Sequence, residues 1–139
     1  IDLRYGVLLD IAQQVMHDVP VNIETGYVNV IWQGDAIQQI IQSATHAGTP
    51  PQILNITGSE TLSVREIALE FGRRLGRSPR FSGTESATCW LSNNQKACKL
   101  FGPPSTSVEQ MLDWVSAWLH AGGQTLNKPT HFQIRDGNY

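Results

Sequence analysis

The stretch LNITGSETLSVREIA, from Leu54 to Ala68, constrains the fold more than any other part of this 139-residue chain. The apolar run QILNIT leads into its turn and predicts a strand buried on both faces of a parallel sheet. Ser63 and Glu66 have capping-box spacing and predict a helix from Val64 to about Leu75. A dinucleotide turn needs three spaced glycines, and this turn has only Gly58. We therefore expect the junction to be structural rather than phosphate-binding.

Strand and helix patterns alternate before this stretch as well. Apolar residues at helical spacing predict a first helix from Val7 to about His17, which Pro20 ends. The run GYVNVIW, from Gly26 to Trp32, is β-branched and aromatic and predicts a strand. Asp35 has the position of a cap for the next helix. The residues expected on its inward face are Ile37, Ile40, Ile41 and Ala44. The alternation predicts an α/β fold with a few mostly parallel strands.

The later part of the sequence predicts a short strand at PRFSG and two further helices. Ser92 with Gln95, and Thr106 with Glu109, have the spacing of capping boxes. The stripe expected to face the core on the last helix is Met111, Trp114, Val115 and Trp118. We expect the fold to end in this helical pair. Residues 128–139 have no helical period and are interpreted as a C-terminal tail.

Charge and cysteine content exclude several classes of partner. The formal net charge is −2 and the sequence pI about 6.1, so no basic surplus exists to neutralise nucleic-acid phosphates. Cys89 and Cys98 lack metal-site spacing and predict free thiols in a reducing, cytoplasmic setting. No apolar run is long enough to span a membrane. The opening residues enter a helical pattern without an initiator methionine, and we expect a piece of a longer chain.

Motifs for nucleophilic, metal or phosphate chemistry are absent. The sequence contains no G-x-x-x-x-G-K, H-E-x-x-H or G-x-S-x-G, and its four histidines lie far apart. We therefore assign no catalytic and no metal-binding residue. Trp32 ends a predicted strand at the edge where open α/β sheets bind ligands, and a pocket role and a core role are both open. The segment TESATCW, with Glu85 and Trp90, has the composition of a pocket wall or of an ordinary loop.

Three segments, in this order, resemble the C-terminal half of extended short-chain dehydrogenases, the NAD-dependent epimerase/dehydratase group. NVIWQGDAI resembles the family's strand that runs into an Asp-capped helix. ILNITGSETLSVREIALEFGRRLGR is similar to its strand, Gly-x-Glu-x-x-Ser turn and following helix. LSNNQKACKLFGPPSTSVEQMLDWVSAWL resembles its Lys-Ala helix, Leu-Gly-Pro turn and final helix. The resemblance covers nearly the whole chain from Val7 to Leu119. It implies that residues 1–127 are the substrate-binding part of an epimerase/dehydratase-like protein.

The resemblance implies a Rossmann half upstream that carries NAD or NADP. That half would supply the glycine fingerprint, a Tyr-x-x-x-Lys pair and an adjacent Ser or Thr. This chain has no such fingerprint, and neither Tyr5 nor Tyr27 has a lysine four residues later. We therefore expect the cofactor to be bound mainly by the missing half, with no cofactor-binding residue here.

Two departures from the family's pattern bear on the substrate. Members that bind nucleotide-sugars place arginines at positions where this chain has Tyr27-Val28 and Ser82-Gly83-Thr84-Glu85. Each missing diphosphate contact is worth about 1.5 to 3 kcal/mol. The resemblance therefore implies a small hydroxy or keto compound, such as a sugar or sugar acid, rather than a nucleotide-sugar. The residues expected to line its site are Arg4, Tyr5, Asn29, Trp32, Gln33, Glu85 and Trp90.

Two other classes of function remain open. The absence of any catalytic constellation is equally typical of a self-contained binding or interaction module with no enzymatic parent. A non-catalytic relative that senses nucleotide would need the same upstream half without its Tyr-x-x-x-Lys pair. The partners expected are a small-molecule substrate and the missing half of the same polypeptide, with a homodimer left open.

Overall fold

The computed structural model describes residues 1–87 and 89–134, which form an α/β fold. The helices are α1 (Val7–Met16), α2 (Gln33–Ser43), α3 (Val64–Leu75), α4 (Gln95–Phe101) and α5 (Val108–His120), with a 3-10 turn at Ala44–His46. The strands are β1 (Val21–Asn22), β2 (Tyr27–Val28), β3 (Leu62–Ser63), β4 (Phe81–Ser82) and β5 (Cys89–Trp90). No helix of this described part is long and apolar enough to cross a membrane.

The strands form two small sheets. β1 pairs in parallel with β4, with Val21 opposite Phe81. In the second sheet β2 lies between β3 and β5, antiparallel to β3 and parallel to β5. Within the described residues, two of these three pairings are parallel, and the short strand predicted at PRFSG is confirmed as β4.

The core lies between α1, α3 and α5, which pack against one another. Leu8 and Ile11 of α1 meet Phe71 of α3 and Val115 of α5, and all four side chains are fully buried. The apolar period of each helix places these residues on one face, and their burial is the main stabilising contribution of the fold. The helices predicted from Val7 and from Val64 are therefore confirmed.

The observed helix caps match some, but not all, of the caps predicted from the sequence. The Ser63 side chain accepts a hydrogen bond from the Glu66 backbone N–H (3.3 Å), so α3 begins where the spacing predicts. α3 ends at Gly76 in the left-handed conformation, with φ 65°. The box predicted for α5 is wrong by one residue, because Ser107 and Gln110 form it.

The capping box predicted for α4 is also wrong. α4 begins at Gln95 after Asn94, and the Gln95 backbone N–H donates to the Asn93 side chain (2.9 Å). The Ser92 backbone N–H instead donates to the Asn29 side chain (3.3 Å). A tertiary contact therefore holds the residue that the local pattern assigned to the helix start.

The two strands predicted with most apolar character are shorter than expected or absent. Only Tyr27–Val28 of the run 26–32 is a strand, and residues 51–58 contain no strand. An apolar segment becomes a central strand only when neighbours pair with both of its edges. No backbone hydrogen bond from the described residues reaches the main chain of residues 52–57. Ile53 is accordingly 84% exposed.

Helix α2 presents its apolar face outward, so the predicted inward face is wrong. Ile37, Ile40 and Ile41 are 48%, 55% and 68% exposed, whereas Asp35 and Gln39 are buried. Trp32, not Asp35, is the N-cap residue. α2 packs on α4. Gln39 is on the buried side of α2, and its side chain donates to the carbonyl of Gly102 at the end of α4 (3.2 Å).

The last two helices have different neighbours rather than forming a pair with each other. α4 packs on α2, while α5 packs on α1 and α3. Met111 and Val115 of the predicted stripe are in the core, but Trp114 is exposed at one edge and contacts the Trp32 ring. Of the predicted tail, residues 135–139 lie outside the described residues.

Candidate functional site

A cleft of about 730 Å³ opens beside the β2–β5 pair. Its lining includes the ends of β2 and β5 together with residues 56–57. It also includes Val7 at the start of α1 and residues of the C-terminal segment. The lining residues include Thr25, Asn29, Thr57, Trp90, Ser92, Thr130, Phe132 and Ile134. Clefts of this volume are typical of small-molecule sites.

The described lining of this cleft contains no Asp, Glu, Lys, Arg or His. Its polar groups include the hydroxyls of Thr57 and Ser92, which have no hydrogen-bond partner within residues 1–87 and 89–134. Free hydroxyls can donate to and accept from an uncharged polar ligand. An anion entering this cleft would lose hydration without gaining a cationic partner from the described lining.

Asn29 lies in the cleft wall, but its amide is used within the chain. Its Nδ2 donates to the Ser92 carbonyl (2.8 Å) and the Gly58 carbonyl (3.2 Å). Its Oδ1 accepts from the Ser92 backbone N–H (3.3 Å). One Oδ1 lone pair therefore remains for a ligand, and the main effect of Asn29 is to join Ser92 to the Gly58 turn.

Trp90 contributes the aromatic surface of the cleft. It lies on β5, beside Val28 of β2, and is 44% exposed. An aromatic face next to hydroxyl groups suits a ligand with both an apolar and a polar side. The segment TESATCW, which supplies Trp90, includes residue 88 outside the described residues.

Trp32 and Gln33 do not line this cleft. The Trp32 ring packs edge-on against Trp114, with ring centroids 5.1 Å apart, and contacts the core. The Gln33 backbone N–H donates to the Ile1 carbonyl (2.8 Å) at the start of α2. These contacts favour the core role for Trp32 over the pocket role.

Arg4, Tyr5 and Glu85, which were also predicted for the site, lie outside the cleft lining. The backbone N–H groups of Arg4 and Tyr5 donate to the Asp2 carboxylate, at 2.7 and 2.8 Å. The Glu85 carboxylate pairs with Arg65 at 2.8 Å on the surface. Of the seven residues predicted to contact substrate, the cleft therefore brings together Asn29 and Trp90.

Sequence reasoning missed the hydroxyls and the C-terminal residues of the lining. Thr57 belongs to a segment interpreted as a buried strand, where its side chain had no assigned role. Thr130, Phe132 and Ile134 belong to a tail without period, so no local signal indicated where they fold. Only the tertiary structure brings these residues to the cleft.

The turn at Gly58 is structural, as expected. A Cβ on this residue would lie 1.9 Å from the Val30 carbonyl oxygen, so only glycine fits there. The start of α3 is satisfied by the Ser63 side chain, and Glu60 follows the turn. The described residues contain no group of three or more His, Cys, Asp and Glu that could hold a metal ion.

The described residues form an α/β fold with a cleft beside the β2–β5 pair, and solved structures share this fold. UDP-glucuronic acid 4-epimerase from Bacillus cereus in complex with NAD has 19% identity and a TM-score of 0.64, over 84% of this chain and 39% of that chain. UDP-glucose 4-epimerase from Thermotoga maritima, solved with UDP-glucose, has 15% identity and a TM-score of 0.65, over 84% and 40%. An epimerase from Methanothermobacter thermautotrophicus has 15% identity and a TM-score of 0.66, over 85% and 38%.

At these identities the comparison shows the fold. No protein family model and no curated protein sequence matches the chain. The chain spans about two fifths of the length of the epimerase structures it resembles. The α/β fold expected from the resemblance in sequence is thus found in these epimerase structures.

Proposed function

We propose that this chain is the substrate-binding part of an NAD(P)-dependent enzyme of the epimerase/dehydratase kind, whose dinucleotide-binding half lies elsewhere in a longer polypeptide. One observation carries the proposal. The chain has a strand-like segment and an apolar helix face that its own described residues leave uncovered.

The strand-like segment is residues 52–57. Its sequence is typical of a strand buried on both faces, yet no other backbone group of the described residues pairs with it. Side chains reach two of its carbonyls: Asn94 donates to that of Thr57 (2.7 Å) and Lys96 to that of Ile53 (3.3 Å). The other backbone groups of this segment have no backbone partner among the described residues, and such groups beside apolar side chains readily pair with another strand. A sheet edge contributed by the missing half would satisfy these groups.

The uncovered helix face consists of Ile37, Ile40 and Ile41 on α2. Three isoleucines at this spacing form one stripe, and such a stripe is normally buried against another element. Large contiguous apolar patches on a surface mark interaction sites. The missing half is the occupant we assign, and a second copy of the chain is the competing one.

The described residues do not fit a dinucleotide, which supports placing the cofactor on the missing half. The turn before α3 has one glycine instead of three, and Ser63 already caps the helix start. The cleft has no cationic lining for a pyrophosphate among its described residues. NAD or NADP, held by the missing half, would supply the hydride chemistry.

The substrate we propose is a small uncharged hydroxy or keto compound, such as a sugar. The free hydroxyls of Thr57 and Ser92 can bind its oxygens, and Trp90 can cover its apolar side. Lack of a cation in the described lining disfavours a nucleotide-sugar, and a sugar acid would need its charge paired by a group of the missing half. The cytoplasmic location and a homodimer remain predictions.

Removing the isoleucine stripe tests the proposal. The unaltered chain is expected to bind a hydrophobic dye and to self-associate at micromolar concentration. The double variant Ile40→Gln, Ile41→Gln is expected to lose most of both, with a change in the free energy of unfolding within about 0.5 kcal/mol because both side chains are exposed. Dye fluorescence and sedimentation velocity measure the two effects.

A matched control replaces two other exposed leucines by the same residue. Leu69 and Leu126 are 49% and 55% exposed and lie outside the stripe. Leu69→Gln, Leu126→Gln should leave dye binding and sedimentation unchanged. A monomer that binds no dye would instead favour the self-contained binding module, which also agrees with the absence of a catalytic constellation.

A further inference from the structure

The segment from Thr130 to Ile134 runs along one side of the cleft and is held at two points. The Asp10 Oδ2 atom accepts hydrogen bonds from the Thr130 backbone N–H (2.7 Å) and from its hydroxyl (2.6 Å). The Thr25 hydroxyl, which is buried, donates to the Phe132 carbonyl (3.1 Å). The contacts join residues more than a hundred positions apart.

This segment gives the cleft an apolar side. Phe132 is 6% exposed and belongs to the core, and it lines the cleft together with Ile134. Thr57 and Ser92, with their hydroxyls, also line the cleft. A ligand in the cleft would meet both hydrogen-bonding groups and hydrocarbon.

We propose that Asp10 is a positioning residue of the ligand site, because it fixes Thr130–Ile134 as the apolar wall of the cleft. The cleft closed in this way takes an uncharged ligand with a hydroxylated edge and an apolar face. That this ligand is a substrate rests on the proposed function. The position of the wall and the preference for neutral compounds do not.

A thiol inside the cleft can report on both points. In a chain carrying Thr57→Cys and Cys89→Ser, the introduced thiol lies in the cleft and Cys98 outside it. Iodoacetamide and iodoacetate have nearly the same shape, and only the second is an anion. In both reactions the thiolate sulfur bonds to carbon and iodide leaves, so peptide mass spectrometry gives the rate at each thiol.

For the introduced thiol, we expect the ratio of the iodoacetamide rate to the iodoacetate rate to be about three times the ratio measured for a free thiol, N-acetylcysteinamide. Adding Asp10→Ala should raise the labelling rate of the introduced thiol about threefold or more, because the wall loses two hydrogen bonds to a carboxylate. The same change should reduce the preference of this thiol for iodoacetamide over iodoacetate. The rate at Cys98 should not change. Thr130→Val removes one of these bonds without altering the charge, and is expected to act in the same direction.

Thr125→Val is the matched control. Thr125 lies in the same C-terminal region but does not line the cleft, and its hydroxyl contacts Gln13 and Asn127. The proposal is overturned if Thr130→Val and Asp10→Ala label no faster than this control, or if they raise the rate at Cys98 equally. It is also overturned if the introduced thiol reacts with both reagents in the ratio of the free thiol. The labelling needs neither cofactor nor missing half, so its outcome is independent of the proposed function.

Discussion

Gly58→Ala is expected to lower the free energy of unfolding by about 3 kcal/mol. The added Cβ would lie 1.9 Å from the Val30 carbonyl oxygen and 2.9 Å from its carbon. Both atoms belong to the backbone, so no side-chain rotation relieves the overlap, and the turn must move away from the chain after β2. Urea denaturation followed by circular dichroism measures the loss.

Gly48→Ala is the control for this prediction. A Cβ at Gly48 would meet nothing within 4 Å, so alanine there should be neutral or slightly stabilising. Equal stability of the two variants would show that residues 29–30 and the Gly58 turn do not approach each other as described. The Asn29 contacts to Gly58 and Ser92 would then also be in doubt.

Asp35→Asn is expected to cost about 2 to 3 kcal/mol at neutral pH. The Asp35 side chain is 7% exposed, and its carboxylate accepts from the Ser105 hydroxyl (2.6 Å) and the Thr106 backbone N–H (3.0 Å). An asparagine would point its NH₂ group at one of these two donors. The variant would thus loosen the tie between α2 and the segment that precedes α5.

The same carboxylate predicts how stability depends on pH. Burial opposes its ionisation, but hydrogen bonds from Ser105 and Thr106 outweigh this effect and hold the pKa of Asp35 below its ordinary value. Its contribution is therefore complete above the unfolded-state pKa and is lost as the pH falls through the lower folded-state pKa. The difference in unfolding free energy between the unaltered chain and Asp35→Asn should shrink below about pH 4.

Asp18→Asn provides the comparison for a surface carboxylate. The Asp18 side chain is 73% exposed and pairs with Arg80, so its loss should change stability by no more than about 0.5 kcal/mol. Asp35→Asn could instead lower the free energy of unfolding no more than Asp18→Asn does, or by a constant amount down to pH 2. In either case the hydrogen bonds of the Asp35 carboxylate would not be the source of the stability.

The helices were predictable from the sequence because their signals are local. The period that begins at Val7 and the cap at Ser63 each depend on residues within a few positions. Caps at Ser92 and Thr106 were assigned by the same spacing rule and were wrong. At those places several polar residues follow one another, and contacts with distant residues decide which of them starts the helix.

Two further features depend on which element packs beside them: whether residues 52–57 pair as a strand, and which face of α2 is buried. An apolar pattern indicates that a face is to be buried but does not say by what. Within the described residues nothing covers Ile41 or Ile53, so the pattern and the observed exposure disagree. The proposed missing half would reconcile them.

The candidate site was predictable only where it lies on a patterned segment. Asn29 and Trp90 follow or form strands, and both line the cleft; that they contact a substrate stays a prediction. Thr130 and Phe132 reach it through hydrogen bonds to Asp10 and Thr25, and no spacing rule links such distant residues. The described cleft therefore depends on long-range contacts as much as on strands.

The coding sequence upstream of the Ile1 codon tests the central claim most directly. The proposal predicts an open frame that encodes a G-x-G-x-x-G turn after a strand near its start, followed by a Tyr-x-x-x-Lys pair before the present segment. A start codon at this position, or an unrelated domain upstream, would contradict it. In that case the resemblance to the epimerases would be one of fold alone, and the chain would be a self-contained binding module.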